Sequence, residues 1–388
     1  MQKVVFESAD RAFHQELHRR VDAYFADRGI SRKANAFMIA KGVYFSVVLA
    51  LLWSALVFFT PHNAVFALLL CLLAGAHMAF FGFNVGHDAI HGAYSDRPWV
   101  NKLLSGTFDL LGASSTTWSV AHNFVHHTYT NIPSVDHDLD PGPWMKFSPQ
   151  TSPQTALQKV LGTIFRFQFL YMWVLYGFTT LVWLIKKDFQ QVFAPDPRTQ
   201  KPAPTLDKVK VFAGKGLYAV VFIAIPLLVV DLPVWQIVVG MLVTQFASGF
   251  TLAITFQLAH CVEETAFPEP DAHRRIPQGW SAHQLRTTAN FGGSNPVIAF
   301  FAGGLDHQVE HHLFPKTCHV HYPALSPLVR QTAREFGLPY LENPTLLGAL
   351  RSHVRAMIRF GRPPAPATST SDSRSEAHRA SLEVAPAE

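Results

Sequence analysis

The chain has 388 residues, of which 49% are hydrophobic and only 15% charged, with a net charge of +5. An ordinary soluble protein carries about 25% charged residues, so a membrane body with soluble flanks fits better than several soluble cores. The mild basic excess suits anionic headgroups or an acidic partner, and the lack of a dense Lys/Arg stripe argues against nucleic acid as a partner.

In chain order, residues 1–34 read as a charged, partly amphipathic helical lead carrying Phe6, Phe13, Leu17, Val21, Tyr24 and Phe25. It is polar through Lys33, so no cleavable signal peptide is visible. Two stretches free of acidic and basic residues follow, Gly42–Thr60 and Asn63–Gly86. Each can cross a hydrocarbon core of roughly 30 Å as a helix of about 20 residues. Pro61 and His62 between them leave room only for a tight hairpin.

A polar stretch runs from His87 to about Arg166, and Pro133, Pro141, Pro143 and Pro149 make its second half irregular. Phe167–Ile185 is apolar again, flanked by Arg166 and by Lys186 and Lys187. A polar linker covers 188–210, and a second apolar pair follows, with crossings expected near 214–230 and 234–259 around Asp231 and Pro233. Residues 260–330 are polar. The tail 363–388, rich in Pro, Ala, Ser and Thr, is expected to be disordered. The expected organisation is a lead (1–34), a membrane domain (35–362) and a tail. No repeat of fixed period is visible. Cys71, Cys261 and Cys318 lie far apart without a C-x-x-C, so neither a disulfide framework nor a thiolate metal site is implied, and a reducing compartment is compatible.

The 20 histidines carry most of the information. His87 and His91 form an H-x3-H at the end of the second crossing. His122, His126 and His127 form an H-x3-H-H, and His307, His311 and His312 repeat that spacing. His260 stands alone at the end of the last crossing. Spacing i,i+4 places two imidazoles on one helical face. One such pair says little; His14 and His18 make another and read as surface. His77 reads as a packed or hydrogen-bonded residue, and His319 and His321 as local structure. Three clusters of near-identical spacing beside apolar segments are different, because an unpaired polar ring buried there costs free energy.

If the clusters share one site, an even number of crossings separates them. Four crossings in two hairpins satisfy this, with Phe167–Ile185 lying at the interface, where Trp173 and Trp183 suit it. Both hairpin tips then lack Lys and Arg, and the positive-inside rule makes the histidine side cytoplasmic. The expected fold is an all-α integral membrane protein with a cytoplasmic helical cap, multi-pass in a bacterial inner membrane.

Imidazole suits Zn, Cu, Fe and Ni. Eight or nine histidines exceed what one tetrahedral zinc takes, and two ions of higher coordination would use them. Glu-x-x-His, the pair used by soluble di-iron bundles, is absent. An all-imidazole di-metal centre at the membrane surface, suited to O2 chemistry on a lipid, is the reading that follows. Asp88, Asp138 and Asp306 are candidate acceptors for the ligands' ring N–H groups.

At these residues the sequence resembles the membrane-bound fatty acid desaturases. The boxes match H-x3-H, H-x3-H-H and Q-x2-H-H, and the run from Gly303 to Pro315 looks like the front-end and linoleoyl-CoA-type branch. The resemblance extends over roughly residues 5–360. It implies two iron ions, O2 as co-substrate, a fatty acyl substrate carried on CoA or lipid, and removal of two hydrogens from adjacent carbons. It also implies that His260 is the isolated ligand. In the last box, spacing nominates His307 and the branch pattern nominates Gln308; both stay open. Two departures stand out. The His-Pro-Gly-Gly motif of a fused cytochrome b5 region is absent, so a separate donor of ferredoxin or cytochrome b5 type is expected. Related acyl-CoA enzymes place Asn where Phe256 stands here, and whether Gln257 substitutes is left open. A lipid hydroxylase built on the same boxes, and a zinc-dependent membrane receptor or hydrolase, are the competing readings.

Overall fold

A computed structural model describes residues 3–362 except 9, 134, 137, 139–141, 150–160 and 294. The tail 363–388 lies outside the described residues. Among them, four helices are long and apolar enough to cross a membrane: α2 (Ala36–Phe58), α3 (Ala64–Ile90), α8 (Thr205–Val229) and α9 (Val234–His260). Helix α1 (Arg11–Arg28) precedes them. Helices α4 (Pro98–Leu110), α5 (115–129), α6 (Gly162–Tyr176) and α7 (Thr179–Phe193) lie between the two hairpins. Helices α10 (Trp280–Thr287), α11 (Pro296–Ala302), α12 (Gln308–Leu313), α13 (Tyr322–Glu335) and α14 (Leu346–Gly361) follow the last crossing.

Asparagine side chains cap the first two crossings. Asn35 accepts from the Met38 amide and Asn63 from the Phe66 amide, satisfying donors that a helix start leaves unpaired. The first crossing begins six residues before the charge-free stretch that marked it in the sequence. Lys41 is inside the helix and only 4% exposed. It is accommodated by the His319 ring at 3.1 Å and the face of Phe300. Likewise α8 starts at Thr205, well before residue 214, with Asp207, Lys208 and Lys210 in its first turns and Lys215 held within it by Asp188 at 2.5 Å.

Helices α3 and α9 run in the same direction, so both end at the same level. They cross on small residues, Cys71, Gly75 and Ala79 facing Gly240, Thr244 and Ser248 at i,i+4 intervals. Close backbone approach of this kind is how apolar helices associate where lipid offers no hydrophobic driving force. A Cβ at Gly75 would run into the Thr244 carbonyl oxygen and stand 2.8 Å from the Ala247 Cβ.

The third apolar segment is two helices, not one straight interfacial rod. Helices α6 and α7 meet at a 71° bend. A side chain at Gly177 would run into the Phe246 ring, and the Gly249 Cβ position is 2.5 Å from the Gly177 carbonyl oxygen. The bend thus falls where the segment presses on α9.

The cap is a separate packing unit. Phe13, Leu17, Val21 and Phe25, one stripe of α1 at i,i+4 spacing, are buried against Leu285, Val309, Leu313, Leu325 and Val329. Burial of each such side chain contributes roughly 1.5–3 kcal/mol. The lead is thereby clamped over α12, which carries the last histidine box. Two short parallel strand pairs stitch the cap: β1 (Val5–Phe6) with β2 (Arg275–Ile276), and β3 (Asn290–Phe291) with β4 (Glu342–Asn343).

Candidate metal centre

Four chain segments deliver the histidines to one place. Helix α3 ends in a π-helical turn, Gly82–His87, and α5 contains another, Ala121–His126. Such wide turns insert a residue into the helical register and are frequent at functional sites. They fall at the first two histidine boxes, His87 and His91 at one and His122, His126 and His127 at the other. His260 is the last residue of α9, and His311 and His312 lie on α12. The Gly303–Gly304 pair before α12 has φ of +62° and +81°. A Cβ at Gly303 would stand 2.7 Å from the Phe83 carbonyl oxygen, so only glycine lets the third box close on the first.

Two groups of ring nitrogens result. His87, His91, His122 and His311 form one, with their ligand atoms all within 4.8 Å of one another; His126, His260 and His312 form the other. His127 stands between, within the same distance of His311 and His312. All eight are buried. His87 and His122 approach at 3.4 Å and His127 and His122 at 3.3 Å, nitrogen to nitrogen.

Several of the outward-facing nitrogens are held. His126 Nδ1 donates to Asp136 at 2.9 Å, and that carboxylate also accepts from the Asn131 and Asp138 amides. His122 Nδ1 faces Asp138 at 3.4 Å, and Asp138 in turn pairs with Lys187. His312 Nδ1 donates to Gln284 Oε1 at 2.9 Å, and His311 Nδ1 lies 3.3 Å from the Tyr322 hydroxyl. Partners of this kind fix the tautomer and orientation of a ligating imidazole. Asp136, Gln284 and Tyr322 were not singled out in the sequence. Asp136 had a signal, an acid close after the second box; Gln284 and Tyr322 had none.

The inward-facing nitrogens are not satisfied. His91 Nε2, His126 Nε2 and His311 Nε2 are buried without a hydrogen-bond partner. Buried polar atoms are normally paired, and several orphans converging on one spot mark a place for a cation. Burial, and then the neighbouring rings, hold His91, His127, His311 and His312 well below the usual histidine range, so they are neutral and keep lone pairs to donate. At His126 burial pulls the same way, but Asp136 outweighs it and the net shift is upward. An all-nitrogen set in two groups fits two metal ions of the imidazole-preferring kind.

The remaining candidates are placed as follows. His307 is the residue before α12, outside the helix, so it does not share a helical face with His311. Its Nδ1 bonds Asp306 at 2.9 Å, which, against the pull of burial, raises it above the usual histidine range. Gln308 Nε2 donates to His260 Nε2 at 2.9 Å and His312 Nε2 at 3.3 Å. Because His312 uses its other nitrogen on Gln284, Gln308 stands on the inward side. Asp88 is turned to His319, accepting from its backbone and ring N–H groups at 3.2 and 3.0 Å. His77 donates to the Phe45 carbonyl.

A cavity of about 1020 Å³ leads to the cluster. It is lined by His126 and His260 of the cluster, by Trp118, Leu175, Tyr176 and Phe256, and by the basic residues Lys186, Lys187 and Arg198. It has the shape and lining of a site for a long apolar molecule with a polar end.

Fold and site together define a multi-pass membrane protein whose parallel helices and cap assemble a histidine cluster that could hold metal. Residues 61–344 match the model of the family described as fatty acid desaturase. The chain is 36% identical over 355 residues to the sn-1 linoleoyl-lipid 6-desaturase of Synechocystis sp., covering 91% of this chain and 96% of that protein. It is 34% identical to the protein of the same name from Arthrospira platensis, over 88% and 90% of the two chains. It is 32% identical to the acyl-lipid (8-3)-desaturase of Physcomitrium patens, over 92% and 74%. The chain belongs to the fatty acid desaturase family, and is accordingly an oxidoreductase of fatty acid metabolism.

Proposed function

We propose that this chain introduces a double bond into a lipid-linked fatty acyl chain, in the front-end manner, using O2 and electrons from a separate ferredoxin or cytochrome b5-type protein. The observation that carries the proposal is the pair of buried histidine groups at an apolar cavity, with ring nitrogens of His91, His126 and His311 left unpaired. His87, His91, His122 and His311 would hold one iron ion, His126, His260 and His312 the other, and His127 stands at both. When bound, the irons supply activation of O2 and removal of the two hydrogens. The chain's own residues do the rest. Asp136, Asp138, Gln284 and Tyr322 keep the lone pairs of His126, His122, His312 and His311 turned inward. Trp118, Phe256 and Tyr176 hold the acyl chain in a water-poor channel, and Lys186 and Arg198 line the same cavity and suit its polar end. Two iron ions and no zinc are expected in the purified protein; one zinc without iron would contradict the reading.

Gln308 is placed to serve the second group, by holding a ring nitrogen or a metal-bound water, whereas His307 is committed to Asp306. Gln308→Ala is expected to lose iron and turnover by about 10–100-fold, the usual range for outer partners of a metal site. His307→Ala should be milder. The reverse order, measured on the two proteins purified side by side, would return the role to His307.

The proposal also sets sidedness. Residues 61–62 and 231–233 would lie outside the bacterial inner membrane, with both termini and the cap in the cytoplasm. Reporter fusions after residue 362 and within the first hairpin tip test this. A C-terminus found outside would contradict it.

A further inference from the structure

Two cavities meet at the histidine cluster. Besides the large one, a second of about 40 Å³ lies between α3 and α9, lined by His87, Met78, Gly82 and Ser248. Trp118, Trp183, Leu252 and Phe256 line both cavities. The two spaces are thus separated by a partition a single layer of side chains thick.

The partition is braced and sits at the level of the cluster. The Trp118 and Trp183 rings meet edge to face at 4.6 Å, and Phe256 lies 6.0 Å from Trp118 and 6.1 Å from Phe83, centroid to centroid. On the histidine side, the Trp118 ring lies tilted 4.8 Å from His122 and Phe256 meets the same ring at 5.9 Å. His122 belongs to one histidine group, while the large cavity is lined by His126 and His260 of the other. An apolar chain filling the large cavity therefore meets this wall where it passes the cluster.

We propose that Phe256 and Leu252, one helical turn apart on α9, fix which carbons of the acyl chain rest beside the histidines, and so set the position of the double bond. The inference rests on the desaturase reading. Methylene groups are alike, and hydrophobic contact is non-directional, so apolar walls alone let a flexible chain slide by one carbon at little cost. A rigid obstacle at the cluster prevents the slide. The partition supplies one, because its rings come from different helices and are locked against each other.

The test is the double-bond position in fatty acids of a host expressing the full chain, Phe256→Ala or Leu252→Ala, read by mass spectrometry of derivatised products. The full chain is expected to give one positional isomer. Each variant, with the two cavities joined, is expected to shift from that isomer to a mixture with neighbouring positions. The isomer ratio does not depend on yield, so reduced expression leaves the readout intact. Phe256 touches His122, and if its variant does not accumulate, Leu252→Ala decides. The same single isomer from the variants would overturn the partition's role while the desaturase reading stands. No new double bond from the unaltered chain would overturn both.

Discussion

Replacing His126 by alanine is expected to abolish desaturation and lower the iron content of the purified protein. The residue serves three purposes at once. Its Nε2 is a buried orphan facing the cluster, its Nδ1 is fixed by Asp136, and its ring lines the large cavity. Alanine removes the lone pair and leaves the buried Asp136 carboxylate with one donor fewer, held by the Asn131 and Asp138 amides alone, itself costly by about 1–3 kcal/mol. His14→Ala is the control. His14 also belongs to an i,i+4 pair, but it is exposed on α1 and its ring bonds only the Ser281 hydroxyl, at 2.7 Å. It should change neither iron nor turnover. Asp136→Asn should fall between, roughly 10–100-fold down, since it keeps the shape and loses the charge. Equal effects of His126→Ala and His14→Ala would discredit the cluster as the metal site.

A large stability effect is expected at Gly75. Any Cβ there meets the backbone of α9 and the Ala247 side chain, and backbone cannot rotate away as a side chain can. Overpacking in a tight core costs about 1–3 kcal/mol even where side chains yield. Gly75→Ala should therefore separate α3 from α9, lower the melting temperature of the detergent-solubilised protein and reduce iron, because the two helices carry His87 and His260. Gly106→Ala, also in a helix but with nothing within 4 Å of the added Cβ, should be neutral or stabilising, by up to about 1 kcal/mol. A Gly75→Ala protein as stable as the unaltered chain would refute the close crossing.

Spacing made the histidines legible, since i,i+4 repeats and paired His-His runs are visible without any structure. The geometry that makes them converge was not. The two π-helical turns alter hydrogen-bond register without altering composition, and only the packing of α3 and α5 in the fold imposes them. The first helix start was misplaced at Lys41, because that charge is buried with a partner far along the chain, His319, and the start of α8 was missed because Asp207, Lys208 and Lys210 read as linker. Asp88 was read as an acceptor for a ligand ring, yet it is turned to His319, 231 positions away. The ambiguity between His307 and Gln308 came from extending α12 one residue too far toward its N-terminus. The bend between α6 and α7 was hidden for another reason: Gly177 yields to Phe246, a contact that hydropathy does not record.

The central claim is that the histidine cluster at the apolar cavity removes two hydrogens from an acyl chain. Its most direct test is the fatty-acid profile of a host expressing the full chain beside one expressing His126→Ala. The account predicts a new acid lighter than its precursor by two hydrogens, present with the full chain and absent with the variant. A product heavier by one oxygen, or identical profiles from the two hosts, would contradict it.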